Sequence, residues 1–370
     1  MSDEPEPRAA ATCSVPTYDK APLLVIWEVT RACDLACVHC RAEAQPNRDP
    51  GELSFQEGTA LLDQIAGMGT RLVVFTGGDP AKRPDLVDLV SEAKARRLIP
   101  SISPSATPLM TTKLLHALAR AGAGAVSFSL DGSNRRIHDT FRGVPGTFER
   151  TLPLAAEVVR TGMELRINTT VTRRNLGDLP ALADLVEELG TRVWSVFFLV
   201  PTGRGSNRDQ ISPEECERTL RWLYELSGRV PFRIKTTEAP HYRRVVLEGE
   251  ARRRGTTVAD LLRRGGSMGG RFAPGLNDGR GFCFISHRGE VHPSGFLPLA
   301  AGSVRRRPLA EIYRESPLFR SLREPSSFRG LCGCCDFAEI CGGSRARAYA
   351  VSFDPLADDP LCANVAARRA

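Results

Sequence analysis

LLVIWEVTRACDLACVHC, residues 23–40, runs from a β-strand pattern directly into three cysteines. Its first part, Leu23–Val29, is the apolar, β-branched and aromatic type of run that suits a strand. Cys33, Cys37 and Cys40 follow as C-x3-C-x2-C. A short loop with three thiolates can wrap a cube-shaped four-iron cluster, each sulfur meeting a different corner. Such a cluster normally takes four Cys. Three leave one iron open, by the logic that separates catalytic from structural zinc sites. The spacing alone leaves two alternatives standing: a zinc site that recruits His39, or buried free thiols.

Working outward, the strand is the first of several. Further β-rich runs occur at Arg71–Phe75, Ile99–Ser103, Ala125–Leu130, Leu165–Val171 and Val193–Val200. Helical patterns fill the intervals, over residues 55–68, 84–97, 112–122, 147–160 and 178–190. Six β/α units predict an α/β fold with a parallel sheet and right-handed crossovers. The strands read as apolar runs, as expected when both sheet faces are covered. A doubly wound sheet or an incomplete barrel satisfies this pattern. In either, functional groups gather at the C-terminal ends of strands, and the cysteine triplet sits at such an end.

The rest of the 370-residue chain sets limits. Hydrophobic residues make up 42% and charged residues 25%, ordinary values for a globular protein. No apolar run reaches the roughly 18 residues of a membrane span. Residues 1–21 lack the basic start and apolar stretch of a signal peptide and read as a flexible tail, which predicts a cytoplasmic protein. The net charge of +7 describes a solvated surface or attraction to a carboxylate-rich substrate. Scattered arginines and 6% aromatics argue against a nucleic-acid partner. Eleven cysteines without an export signal point to metal rather than disulfides. A second group, Cys332, Cys334, Cys335, Cys341 and Cys362, lies in a Cys- and Gly-rich end with little periodicity, a segment that needs a metal to fold. Cys13, Cys216 and Cys283 stand apart.

Motifs beyond the triplet make a resemblance specific. TGGDP (residues 76–80) ends the second strand, SFSLDG (127–132) ends the fourth, and HDTFRG (138–143) follows. Together with C-x3-C-x2-C after a first strand, they resemble the radical S-adenosylmethionine superfamily. The resemblance implies a partial (β/α)6 TIM-type barrel and a [4Fe-4S] cluster on Cys33, Cys37 and Cys40. S-adenosylmethionine would be the cofactor, cleaved to a 5′-deoxyadenosyl radical. Its amino group would meet Gly77, Gly78 and Asp79, with Asp where relatives carry Glu. Its carboxylate would meet Ser129 and Arg142, its ribose Asn168, and its adenine His39.

Cys332-x2-Cys335-x5-Cys341-x20-Cys362 resembles the SPASM extension of enzymes that mature peptides and tetrapyrroles. Ser294 and Arg345 stand where that pattern has Cys, so one auxiliary [4Fe-4S] cluster is expected, on these four residues. Cys334 competes as a ligand, lone Cys283 is left without partners, and a four-Cys zinc site is the alternative. The implied division is a tail (1–21), a radical barrel (22–235), a helical linker (236–280) and a Cys-rich auxiliary-cluster domain (281–370). The expected reaction oxidises a carboxylate-bearing substrate, a tetrapyrrole side chain in haem or modified-haem biosynthesis. Arg305, Arg306, Arg307, Arg345 and Arg347 would suit its propionates. The runner-up is maturation of a ribosomally made peptide. Flavodoxin or ferredoxin would supply electrons.

Overall fold

The computed structural model describes residues 18–263 and 275–369. The expected tail therefore lies outside the described residues over 1–17, with Cys13 in it, as does the Gly/Arg-dense stretch over 264–274. Seven strands lie side by side in chain order: β1 (Leu24–Thr30), β2 (Leu72–Gly77), β3 (Ile99–Ile102), β4 (Ala125–Ser129), β5 (Glu164–Val171), β6 (Val193–Phe198) and β7 (Arg233–Thr237). All neighbours in this series are parallel. The connecting helices are α1 (Phe55–Gly67), α2 (Leu86–Ala95), α3 (Thr112–Arg120), α4 (Arg135–Arg142), α5 (Thr147–Arg160), α6 (Leu179–Glu188) and α7 (Pro213–Ser227), with α8 (Tyr242–Arg254) after β7. The fold is the α/β partial barrel expected, with a seventh strand added. That strand lies in the run PFRIKTT, where charged Arg233 and Lys235 alternate with apolar Ile234, so it lacks the continuous apolar stretch of the other six.

Local chemistry starts the helices where they are needed. Ser54 caps α1 and Glu57 returns the bond, a capping box that satisfies two orphan N–H groups. Ser212 and Glu215 repeat the device on α7. One core fills the space between sheet and helices. Trp27, Phe75, Leu61 and Ile65 are wholly or almost wholly buried in it. Each strand sends alternate residues there. On β5, Leu165, Ile167, Thr169 and Val171 are buried, while Glu164, Arg166, Asn168 and Thr170 occupy the opposite, inner face and are half-buried. On β5 the inner face is thus polar where the outer one is apolar.

The late segment is stitched into the same sheet. β8 (Phe282–Ile285) runs parallel to β1 on the side away from β2, pairing Val25 with Cys283. Beyond it, β9 (Glu290–His292) and β10 (Gly302–Ser303) continue antiparallel. One sheet of ten strands results, its edges β7 and β10. Among the described residues, no helix is long and apolar enough to cross a membrane.

Candidate functional site

Cys33, Cys37 and Cys40 stand at the C-terminal end of β1, the first two buried and the third partly so. Their loop is held from several sides. Ala36 and Val38 donate to the carbonyls of Arg142 and Phe141 at the end of α4 (3.1 and 3.0 Å). Gly143 follows with φ +69°, and a Cβ there would stand 2.5 Å from the Ala36 oxygen, so only glycine permits this approach. From beyond β6, Arg204 donates its backbone N–H to Cys40 O (3.0 Å) and its Nε to Cys37 O (2.9 Å). N–H groups also reach the sulfurs: Leu35 to Cys33 (3.3 Å) and Ala44 to Cys40 (3.5 Å). Burial pushes the Cys33 thiol up to about 11. Ligation by iron requires the thiolate, so loading this site releases protons.

The glycines of TGGDP sit directly beside this loop. Gly78 N–H bonds to Thr30 O (2.8 Å) and Asp79 N–H to Ala32 O (2.7 Å). A Cβ on Gly78 would lie 2.4 Å from Ala32 O and 2.6 Å from Arg31 O. Asp79 departs from the expectation of a cofactor contact. It is fully buried, and its carboxylate accepts from Ala81 N (3.1 Å), Ser105 N (3.2 Å) and Thr107 Oγ1 (2.6 Å). The short side chain is spent on joining the loops after β2 and β3. Ser105 in turn donates to Gly78 O (3.2 Å) and lies 3.6 Å from the Cys33 sulfur.

Arg142 is partly committed as well. Its Nη2 pairs with the buried carboxylate of Asp131, and its Nη1 lies 3.6 Å from the Cys37 sulfur. Its Nε is buried without a partner. Burial opposes its charge, but Asp131 and Cys37 outweigh that and hold the pKa above the ordinary value. Ser129 and Asn168 are Cα partners across β4 and β5, placing both side chains on the inner face at one level. The His39 ring packs 4.7 Å from that of Phe141. Burial first, then the charges of Arg142 and Arg204, hold its pKa well below the usual value, so it is neutral at pH 7.

The late cysteines form a second constellation. Cys332, Cys335, Cys341 and Cys362 line one pocket together with His241 and Arg244. Cys334, adjacent in sequence, is exposed, and its sulfur turns back to the carbonyls of Gly330 and Leu331. Cys283 is buried within β8, away from this pocket. Ser294 contacts Glu238 (3.4 Å) rather than a cysteine. Arg345 lies wholly buried, donating to Pro355 O (3.1 Å), Ala357 O (2.6 Å) and the Cys332 sulfur (3.5 Å). Arg347 is buried on Asp359 and the carbonyl of Phe198. These two arginines are therefore unavailable to substrate propionates, contrary to expectation. Arg305 is likewise engaged, by Glu57.

Comparison with known proteins fits this geometry. Residues 27–186 match the radical SAM superfamily model. The chain is 41% identical over 347 residues to the AdoMet-dependent heme synthase of Nitratidesulfovibrio vulgaris, covering 92% of this chain and 91% of that protein. It is 38% identical to the AdoMet-dependent heme synthase of Methanosarcina barkeri, covering 92% and 96%. This chain belongs to the radical SAM superfamily. The crystal structure of Streptococcus suis SuiB bound to S-adenosylmethionine shares its fold, with a TM-score of 0.71 at 18% identity, over 93% of this chain and 78% of that one.

As a radical SAM enzyme, the chain works with a [4Fe-4S] cluster and S-adenosylmethionine. Its first constellation fits them. Three thiols share a loop whose N–H groups point at sulfur, a glycine pair packs directly against the backbone of that loop, and Arg142 Nε and His39 Nδ1 are buried donors or acceptors without partners. Sequence reasoning missed Asp131, Ser105 and Arg204. Asp131 was visible inside SFSLDG but unassigned, while Ser105 and Arg204 carry no motif and become neighbours only through folding.

Proposed function

We propose that this enzyme converts propionate side chains of an iron-bound coproporphyrin to vinyl groups by oxidative decarboxylation, the reaction that yields haem. The observation that carries this reading is the 41% identity to an AdoMet-dependent heme synthase along nearly the whole of both chains. When bound, the [4Fe-4S] cluster and S-adenosylmethionine supply, on one-electron reduction, a 5′-deoxyadenosyl radical able to take hydrogen from an unactivated carbon.

The chain's own residues hold and shield that chemistry. Cys33, Cys37 and Cys40 would be the three ligands, with the Cys33 sulfur receiving a backbone N–H bond in place of water. Gly77 and Gly78, bare of side chains, would offer backbone carbonyls to the ammonium of the cofactor. Arg142 Nε would bind its carboxylate, alongside Ser129. Asn168, level with Ser129, would reach the ribose. Neutral His39 would lie against the adenine. Asp79 would act one step back, as a positioning residue for the loops.

The substrate side needs an electron acceptor. Hydrogen-atom loss from the propionate carbon β to its carboxylate is followed by cleavage of the bond to the carboxylate. The products are a vinyl group, CO2 and one surplus electron. Cys332, Cys335, Cys341 and Cys362 surround a single pocket and would hold one auxiliary [4Fe-4S] cluster suited to take it. Flavodoxin or ferredoxin in the cytoplasm would supply the initiating electron.

The test is anaerobic turnover of reconstituted protein with Fe-coproporphyrin III, S-adenosylmethionine and a reductant. Mass spectrometry should find one 5′-deoxyadenosine per propionate converted. Abundant 5′-deoxyadenosine with unchanged porphyrin would defeat the assignment.

A further inference from the structure

The strand registers draw a row across the inner face of the barrel. Ser129 on β4 pairs with Asn168 on β5, Asn168 with Ser195 on β6, and Ser195 with Lys235 on β7. Two residues lower, Arg166 pairs with Val193, and Val193 with Arg233. Leu165, Ile167 and Ile234 are buried in the core beneath the helices. Their neighbours Arg166, Arg233 and Lys235 must therefore point the other way, into the barrel.

These cations are poorly matched by anions. Lys235 is open to solvent and makes no ion pair among the described residues, and the charges it feels, those of Arg166 and Arg243, are positive. Arg166 has Glu164 at 3.0 Å, but the pair is half-exposed and contributes little. Its Nε is buried with no partner. Arg243 is spent on the carbonyls of Ile340 (2.7 Å) and Leu276. Like charges gathered in an enclosure oppose folding unless an anion joins them.

We infer that Lys235 and Arg166 form the subsite that anchors a carboxylate of the substrate inside the barrel, a propionate that is held rather than converted. This rests on the tetrapyrrole reading above. The carboxylate of S-adenosylmethionine is a poor candidate for the same place. Three inter-strand steps of about 4.8 Å put Lys235 roughly 14 Å across the sheet from Ser129. Lys235 thus lies across the cavity from Ser129, and Arg166 lies two residues below Asn168 on β5, so a planar macrocycle spanning the barrel would bring a second side chain down between them. Arg166 suits the carboxylate's planar geometry and Lys235 supplies a flexible point charge.

Anaerobic Soret titration of the reconstituted holoenzyme with Fe-coproporphyrin III tests the subsite. Lys235→Met and Arg166→Met should each weaken binding by about tenfold or more. Lys235→Arg should stay within about threefold of wild type. Arg120→Met, which removes an exposed cation from the end of α3, should bind as wild type does. An iron porphyrin without carboxylates should bind wild type and Lys235→Met alike. If Lys235→Met binds Fe-coproporphyrin III as tightly as wild type, the subsite is wrong while the function stands. Equal weakening toward the carboxylate-free porphyrin would make Lys235 structural and also overturn the subsite. Wild-type protein that binds no Fe-coproporphyrin III removes the functional reading and the subsite with it.

Discussion

Arg142 bridges two elements that sequence keeps apart: its guanidinium pairs with Asp131, after β4, and lies 3.6 Å from the sulfur of Cys37, in the loop after β1. Removing one partner of a buried ion pair strands the other charge and costs about 3–5 kcal/mol. Asp131→Asn should therefore lower the stability of the metal-free protein by about 3 kcal/mol in urea denaturation. Asp131→Asn combined with Arg142→Gln should cost clearly less than the sum of the single changes. Strict additivity would mean that the two side chains are not energetically coupled.

Gly78 packs its Cα against the backbone of the cysteine loop. In Gly78→Ala the new methyl would meet two carbonyl oxygens at 2.4 and 2.6 Å. Neither is the end of a flexible side chain, so the loop itself must shift. Overpacking of this kind costs about 1–3 kcal/mol. Iron bound at the first site should fall with it, measured by iron content and the cluster's absorbance after reconstitution. Full loading and unchanged melting would show that the loop gives way freely.

Two four-iron clusters predict about eight irons per chain. Cys332→Ser, or any single change among its three pocket partners, should lower the count toward about four, whereas Cys334→Ser should leave it intact. Replacing Cys33, Cys37 and Cys40 together with Ala should also leave about four and abolish 5′-deoxyadenosine. Zinc in place of iron at the late site, by elemental analysis of protein purified without oxygen, would redefine that pocket.

His138 ties stability to pH. It is buried, and its Nδ1 accepts the N–H of Asp131 (3.2 Å), which demands the neutral ring. Burial first, with Arg142 adding to it, lowers its pKa to about 4. The unfolded chain titrates near 6.5. Between these values the unfolded state binds the extra proton, so stability falls as pH drops from 6.5 and the loss levels off below about 4. The full effect is on the order of 3 kcal/mol. His138→Asn, which keeps an acceptor but cannot titrate, should flatten that part of the stability profile relative to wild type. Parallel profiles would remove His138 as the cause.

Much of this was readable before folding. All six strand runs appear within a residue or two of their expected places, because each is an apolar stretch covered on its outer face by a helix. The triplet, TGGDP and SFSLDG were visible because ligand spacing and glycine pairs leave local patterns. What stayed hidden depends on partners distant in sequence. Asp79 looked like a ligand until Thr107 and Ser105 took its oxygens. Arg345 and Arg347 read as a basic patch, but folding sinks both among backbone carbonyls and Asp359. Lys235 interrupts a strand pattern, and only the register reveals that it faces the barrel. β8 was missed because four residues, FCFI, are too few to distinguish a strand from any short apolar run.

That last strand governs the order in which the protein can be completed. β1 leaves the ribosome first, yet β8, its neighbour on one side, is made only after all seven barrel strands. Until then β1 has an open edge, and the cysteine loop at its tip is not enclosed by the finished sheet. Pairing of β8 therefore comes after the barrel strands are made, and it is what covers the β1 edge that leads into Cys33, Cys37 and Cys40. Removing everything after residue 280 would not release a free-standing catalytic half. It would leave that edge permanently unpaired, beside the loop of Cys33, Cys37 and Cys40.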